Sequence, residues 1–314
     1  MNFQNLVKEI GEKTTPNENK AMVVIELIRN KIRDYVRENN IKSLVMGVSG
    51  GLDSACVAAL CQEKYTGIPL IGISIPMSST NTHKEQAQWV GEKYCTSFEE
   101  FDGWDAKFFE SDEAQAYDCP STMYGNVFET LSRTNDLAEK AGFKVENFPI
   151  PVLQGNTKAR LRMMTIYDLA RKTNGLVLST DNLSEFQMGF WTICGDVGDF
   201  GPIQNVGKGF ELPAIARALG VREDIITQAP SDGLMVTEDN TDEAQLGASY
   251  KEVDAIMYCY LGNDYNLKSK LFQLIGNDPE AAKKVANVIG RYESSVVRYK
   301  RNGTINLQRN DIGL

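Results

Sequence analysis

The stretch that most limits what this chain can become is Ser49-Gly50-Gly51-Leu52-Asp53-Ser54. It follows the apolar run Leu44-Val45-Met46-Gly47-Val48 and leads into the Ala-rich Ser54-Ala55-Cys56-Val57-Ala58-Ala59-Leu60. A short branched run, two adjacent glycines and an Ala-rich stretch read in order as strand, tight turn and helix. Neighbouring glycines let the main chain approach a ligand without a Cβ clash, and a helix start offers unpaired N–H groups to an anion. Residues Gly47 to Ser54 are therefore expected to form a phosphate cradle, with the main-chain amides of residues 49–54 as its grip. A glycine pair alone more often marks a simple turn; the order of all six residues between strand and helix shifts the reading to phosphate. Asp53 has two chemically open roles, helix N-cap and Mg²⁺ ligand beside a polyphosphate, and the metal role is favoured. A Walker loop is excluded, since Gly201 to Gly207-Lys208 has one residue too many and is followed by Gly209.

Composition removes other chemistries. The chain has 314 residues, enough for one large domain with a well-buried core. Its six cysteines (56, 61, 95, 119, 194 and 259) never reach C-x-x-C spacing, and His83 is the one histidine, so zinc binding and Ser-His-Asp catalysis are not expected. The cysteines read as reduced, mostly small core residues. No signal-peptide pattern opens the sequence and no apolar stretch is long enough to span a bilayer, so a soluble, cytoplasmic protein without a membrane partner is expected. A net charge of −9 argues against a broad nucleic-acid surface, which would need Lys and Arg on phosphates. A polyanionic ligand must then be held by a few placed cations and by main-chain N–H groups.

Along the chain, residues 18–39 place Val24, Ile25, Ile28, Ile32 and Val36 at helical spacing. The run from Pro69 to Ile75 suits an internal parallel strand. Residues 82–95 read as helix and Ser97 to Phe101 as a short third strand. Residues 102–125 lack a period and read as an irregular surface insertion; 126–141 read as helix, and Phe148 to Val152 as a stiff extended connector. From Asn156 to Lys172 apolar residues fall at 161, 164, 166 and 169 and basic ones at 158, 160 and 162. Gly175 to Asp181 reads as another buried strand, and helices are expected near 249–261 and 279–297. Strands alternating with helices give an α/β fold, a doubly wound open parallel sheet with flanking helices. In such sheets ligands bind at the carboxyl ends of strands, where the glycine turn, Thr180 and Asp181 all fall. Asp181, Glu185, Asp196 and Asp199 cluster in a glycine-rich stretch of the kind that often closes over a ligand. The acidic run Glu238 to Glu243 is assigned to solvent, because nothing near it in sequence suggests a cation site.

The turn resembles the SGGxDS loop of the ATP pyrophosphatases, the PP-loop enzymes that cut ATP between its α and β phosphates. Further stretches fall into one pattern with it: Gly155 to Met163, Ser179-Thr180-Asp181 with Glu185, Gly195-Asp196, Ala229 to Leu234, and Asp242-Glu243 leading to Leu246-Gly247 and Ser249-Tyr250. In order and spacing, from about residue 20 to about 301, they resemble NAD synthetase. The resemblance implies an adenine nucleotide alpha hydrolase-like, Rossmann-like fold and a C–N-forming ligase. The implied reaction takes deamido-NAD⁺, ATP and ammonia to NAD⁺, AMP and diphosphate, with Mg²⁺ required. Glutamine-using members carry a further amidase domain; here a single domain over 1–314 is expected, the ammonia-dependent type. The resemblance also implies a homodimer. It places Gly47, Val48, Ser49, Gly50, Gly51, Leu52, Asp53 and Ser54 around ATP, with Thr180, Lys208 and Ser231 as further contacts. Asp53 and Glu185 match Mg²⁺ ligands. Arg160, Asp199, Tyr299 and Lys300 match contacts to deamido-NAD⁺, and Asp196 matches an aspartate near the ammonia site. Asp53, Lys208 and Asp196 are the expected catalytic groups.

Three departures stand out. Ile193 occupies a position where the family normally has a lysine for deamido-NAD⁺, the loop holding Asp199 is one residue shorter than usual, and the insertion at 102–125 has no clear equivalent. Two rivals keep the glycine turn. A tRNA-modifying or sulfur-transferring pyrophosphatase would be expected to show a basic RNA face or a persulfide-forming cysteine. A non-catalytic adenine-nucleotide sensor leaves Glu185, Lys208, Ser231 and Arg160 together unexplained.

Overall fold

Leu44, Val45 and Met46 are fully buried, as a strand covered on both faces requires. In the computed structural model, which describes residues 2–76, 80–101, 134, 138–142, 150–231, 241–298 and 305–314, they form β1 (Ser43–Gly47). Strand β1 runs parallel to β2 (Leu70–Ser74) on one side and to β4 (Gly175–Val177) on the other. Strand β2 in turn pairs with β3 (Ser97–Glu100), giving the order β3-β2-β1-β4. A small parallel pair, β5 (Phe200–Gly201) and β6 (Ile305–Asn306), prolongs the sheet beyond β4 through a bridge between Leu178 and Phe200. The chain moves outward from β1 to β3 and then returns to the other side of β1. The crevice of such a sheet lies at that reversal, outside the carboxyl ends of β1 and β4.

The helices are α1 (Phe3–Thr14), α2 (Glu18–Glu38), α3 (Leu52–Leu60), α4 (Glu63–Thr66), α5 (Asn81–Tyr94), α6 (Ile150–Thr173), α7 (Leu183–Met188), α8 (Glu211–Leu219), α9 (Glu223–Thr227), α10 (Asp242–Leu246), α11 (Tyr250–Leu261), α12 (Tyr265–Asn277) and α13 (Pro279–Arg298). Alternation along β1 sorts them into layers. Leu44 and Met46 face a core built with α2, α3, α5 and α8, while Val45 faces Met163, Ile166 and Ala170 of α6. The apolar stripe of α2 is fully covered at Val24, Ile28 and Ile32, each burial contributing about 2 kcal/mol. A second core joins α1, α11, α12 and α13.

Two sequence expectations change here. Residues 150–152 open α6 instead of extending a connector, with Pro151 near the helix start, where a missing N–H costs no helical bond. The buried stripe of α6 is Ala159, Met163, Ile166 and Ala170, whereas Met164, placed on the apolar face by spacing, is exposed. Of the other apolar positions expected from spacing, Ile166 is buried and Leu161 and Leu169 are half-buried against the same core. The insertion at 102–125 lies outside the described residues, as does most of 126–141. Among the described residues no helix is long and apolar enough to cross a membrane.

Candidate active site

The glycine turn leaves the carboxyl end of β1 and opens α3 with Gly51 at the N-cap and no side-chain cap. Gly50 has φ +84°, and a Cβ there would lie 2.4 Å from the His83 carbonyl oxygen, so both conformation and space demand glycine. The expectation that all amides of 49–54 stand open needs correction. Ser49 N–H donates to Ser54 Oγ (3.3 Å) and Gly51 N–H to Ser49 Oγ (3.2 Å), which pins the turn's shape. The amides of Leu52, Asp53 and Ser54 begin the helix ahead of its first intrahelical bond, from Ala55 N–H to the Gly51 carbonyl. Unpaired amides at a helix start are donors that an anion can take up.

Lys208 Nζ is the centre of charge. It lies 3.0 Å from Asp53 Oδ2, 2.8 Å from Glu185 Oε1 and 3.6 Å from Asp242 Oδ2, over the Tyr250 ring at 4.4 Å. Asp53 sits in the first turn of α3 instead of capping it, and its other oxygen accepts from Asn182 Nδ2 at 2.8 Å. Asn182 caps α7, and Glu185 closes a capping box with it, so one short helix delivers Glu185 towards Lys208. Tyr250 Oη donates to Asp242 Oδ2 at 2.9 Å and to Glu185 Oε1 at 3.4 Å. Asp242 is thus 2% exposed inside the cluster, which overturns its assignment to solvent. Its cation partner is 34 positions away in sequence (242 − 208), so reading its neighbours could not reveal it.

Burial pushes the Glu185 carboxyl up to about 8; Lys208 pulls it down, and Asp53 and Asp181 push it further up. Burial works against the Lys208 ammonium, but Asp53 and Glu185, with Tyr250 and Asp242, hold its pKa well above the ordinary lysine value. Asp53, Glu185 and Asp242 converge on one ammonium, and a divalent cation beside them would favour the ionised form of Glu185. Hard oxygen donors beside a phosphate cradle are the ligand type Mg²⁺ takes, so Asp53 and Glu185 fit that ion.

The backbone of Lys208 is held as closely as its side chain. Gly207 N–H donates to Glu211 Oε2 (2.7 Å), Lys208 N–H to Ser184 Oγ (2.8 Å) and Gly209 N–H to Asp254 Oδ2 (2.9 Å). Ser184 Oγ donates in turn to Asp254 Oδ1 at 2.5 Å. A Cβ at Gly209 would meet the Tyr250 carbonyl oxygen at 2.6 Å. Asn182, Asp254, Glu211 and Tyr250 had no role assigned from sequence. The N-x-x-E spacing of Asn182 and Glu185, and the place of Tyr250 in the stretch ending Ser249-Tyr250, were the local signals available.

One cleft gathers Gly47, Val48, Ser49, Gly51, Asp53 and Ser54 with Thr180, Glu185, Asp196, Lys208 and Ser231. Arg162 lines it too, its Nε donating to the Ile75 carbonyl at 3.0 Å. Asp196 accepts the Thr192 N–H on both oxygens, at 2.9 and 3.2 Å. Arg160 and Asp199 do not line this cleft. Arg160 is exposed and donates through Nε to the Ile193 carbonyl at 3.2 Å, while Asp199 Oδ1 accepts from Tyr167 Oη at 2.7 Å. Tyr299 and Lys300 lie outside the described residues. The free cysteines 56, 61 and 259 are buried, Cys95 is half-buried and Cys194 is exposed.

Comparison with known proteins was made against this geometry. The NAD synthase family model matches residues 24–116 and 128–302. This chain belongs to the NAD synthase family. Among curated relatives, the NH(3)-dependent NAD(+) synthetase of Thermococcus sibiricus is 33% identical over 239 residues, covering 76% of this chain and 80% of that one. The enzyme of the same name from Finegoldia magna is 33% identical over 240 residues, covering 76% and 83%. Among solved structures, an NMN synthetase from Francisella tularensis matches with a TM-score of 0.63 at 24% identity, over 91% of this chain and 99% of that one. The NH3-dependent NAD synthetase from Campylobacter jejuni, in complex with the nitrate ion, matches with a TM-score of 0.59 at 21% identity, over 98% and 100%. These two likenesses bear on the fold. They agree with the doubly wound parallel sheet expected from sequence, so this NAD synthase family member is an α/β ligase of the PP-loop, Rossmann-like fold.

Proposed function

We propose that the chain catalyses ATP-dependent amidation of deamido-NAD⁺ by ammonia, giving NAD⁺, AMP and diphosphate. The observation that carries this reading is the placement of Lys208, held by Asp53, Glu185 and Asp242 beside the open amides of α3, in a family whose similar relatives are named NH(3)-dependent NAD(+) synthetases.

A nicotinate carboxylate is a poor acyl donor until it is activated. One carboxylate oxygen attacks the α-phosphorus of ATP, the bond to the β-phosphate bridge breaks, and diphosphate leaves with an acyl-adenylate formed. The N–H groups at 52–54 and the Lys208 ammonium stabilise charge on the phosphates without a protein nucleophile. A magnesium ion held by Asp53 and Glu185 would supply further neutralisation of the outer phosphates. Ammonia then attacks the acyl carbon and AMP departs. It arrives as NH₄⁺ near neutral pH; Asp196, which lines the same cleft, is assigned to bind that cation and take one proton as attack begins, and the second proton passes to solvent as the amide forms.

Arg160 and Asp199 are assigned to the dinucleotide side, and the assignment extends to Tyr299 and Lys300. Leu153, Met164 and Tyr167 are exposed on the side of α6 that carries Arg160. That apolar face supports a homodimer whose partner would complete the acceptor site. Free cysteines support a reducing, cytoplasmic setting. The test is an incubation with Mg²⁺, ATP, deamido-NAD⁺ and an ammonium salt. NAD⁺ and AMP are expected in equal amounts; ADP in place of AMP would refute the mechanism, and glutamine is expected not to replace ammonium.

A further inference from the structure

The loop that delivers Lys208 is fastened from the far end of the chain. Residues 305–314 return to the sheet edge, where β6 pairs with β5 and the side chains of Leu307 and Ile312 are buried in the main core. From this strap Arg309 reaches both ends of the Lys208 loop. Its Nη1 donates to the Asn205 carbonyl at 2.7 Å and to Glu211 Oε2 at 3.0 Å, and its Nη2 donates to Glu211 Oε1 at 2.5 Å. Asn205 answers by donating its Nδ2 to the Leu307 carbonyl.

Glu211 is buried, and the same Oε2 that Arg309 holds accepts the Gly207 N–H at 2.7 Å. One guanidinium therefore clasps the segment three residues before Lys208 and three residues after it. It also sets a positive charge against Glu211 and Asp254, the two carboxylates that accept the loop's amides. Without Arg309, Glu211 would keep a buried carboxylate with no counter-charge, and its hold on Gly207 would weaken. A lysine could match the charge, but it cannot reach a carbonyl and fork onto a carboxylate in one plane.

We propose that Arg309 is a positioning residue for the nucleotide chemistry: by clasping Asn205 and Glu211 it fixes the loop that aims Lys208 at the phosphates of ATP. The inference rests on the adenylation reading above. It makes the carboxy-terminal strap part of the machinery of catalysis as well as of the fold.

The test compares Arg309→Met with Leu307→Ala, which loosens the strap's apolar anchor but leaves the clasp in place. Each variant is assayed for melting temperature, for kcat and KM with ATP, and for binding of ATP with Mg²⁺. Arg309→Met is expected to lower kcat by about 10- to 100-fold, the range seen when outer-shell partners of a site are removed. Leu307→Ala is expected to lower the melting temperature by at least as much while kcat stays within about twofold of wild type, the bound that separates anchoring from aiming at the lower end of that range. Millimolar guanidinium is expected to restore part of the lost kcat in Arg309→Ala, because a half-exposed clasp can be refilled. If Arg309→Met does not fold, Arg309→Lys takes its place, with a smaller loss in the same direction expected. A folded Arg309 variant with wild-type kcat, or a loss that Leu307→Ala shares, would overturn the proposal. If wild-type protein forms no NAD⁺ while Arg309→Met still weakens binding of ATP with Mg²⁺, the functional reading fails and the positioning role stands.

Discussion

The two halves of the site are built differently. On the nucleotide side, Lys208 is buried and bonded through its ammonium to three elements, and the backbone amides of residues 207–209 donate to three more side chains. On the acceptor side, Arg160 is exposed with one described bond to a main-chain carbonyl, and Asp199 is tied to a tyrosine that is itself exposed. The first half is fixed before any ligand arrives, as charge stabilisation in a transition state requires. The second, as proposed, keeps Asp199 half-buried against Tyr167 and the Val177 N–H but leaves Arg160 exposed, where a ligand or a second subunit can engage it. Substitutions on the nucleotide side should therefore act on kcat and on folding, and those on the acceptor side on KM.

The largest effect is expected at Lys208. Lys208→Met leaves the buried Asp242 and the half-buried Asp53 without their cation, so adenylation should fall by about a thousandfold, and stability at neutral pH by about 3 kcal/mol. Single-turnover AMP formation and chemical denaturation read the two effects. A variant with near-normal turnover would erase the contrast between the halves.

Asp53→Asn and Glu185→Gln come next. Each should lose about 100-fold in adenylation rate and require more Mg²⁺ to reach half-maximal rate, with the circular-dichroism spectrum unchanged. An unaltered Mg²⁺ dependence would remove the metal assignment.

A third effect concerns pH. Burial pushes the Asp254 carboxyl up to about 7 from an ordinary 3.8, against the pull of its bonds from Ser184 and Gly209. The native state thus binds a proton that the unfolded chain has released. The associated stability is fully present below pH 3.8 and is lost as pH rises through about 7, amounting to at most about 4 kcal/mol. Asp254→Asn should flatten the fall in stability between pH 4 and 7, measured by urea denaturation; an unchanged slope would place the titration elsewhere.

The smallest effect sharpens the acceptor half. Ile193, which the sequence resemblance sets where a lysine is expected, is 51% exposed. Ile193→Lys should lower KM for deamido-NAD⁺ by about three- to fivefold, the worth of one exposed ion pair, with kcat unchanged. A raised KM would show that the acceptor does not pass that side chain.

Much of this was legible in the sequence because neighbouring residues carry it. The strand, turn and helix at 43–60 follow from branched residues, glycines and alanines in direct succession, and the stripe of α2 from its 3.6-residue period. Other elements carried the same signal but were not read from it, such as α1 with Phe3, Leu6, Val7 and Ile10, and α12 with Leu267, Leu271 and Leu274. The short helices α7 and α10 are too brief for a period to show. Asp242 was misassigned because its charge partner comes from another part of the chain, and only folding reveals that Asp242 is buried while its neighbour Glu243 is exposed. The clasp of Arg309 on Glu211 spans 98 residues and has no pattern in sequence at all.

The claim beneath these expectations is that the acceptor's own carboxylate oxygen attacks the α-phosphorus of ATP. It can be followed with deamido-NAD⁺ carrying ¹⁸O in the nicotinate carboxylate, by mass spectrometry of the products after a full turnover with ammonium. One labelled oxygen in AMP, and none in diphosphate, is the predicted result. Unlabelled AMP formed alongside NAD⁺ would contradict the account.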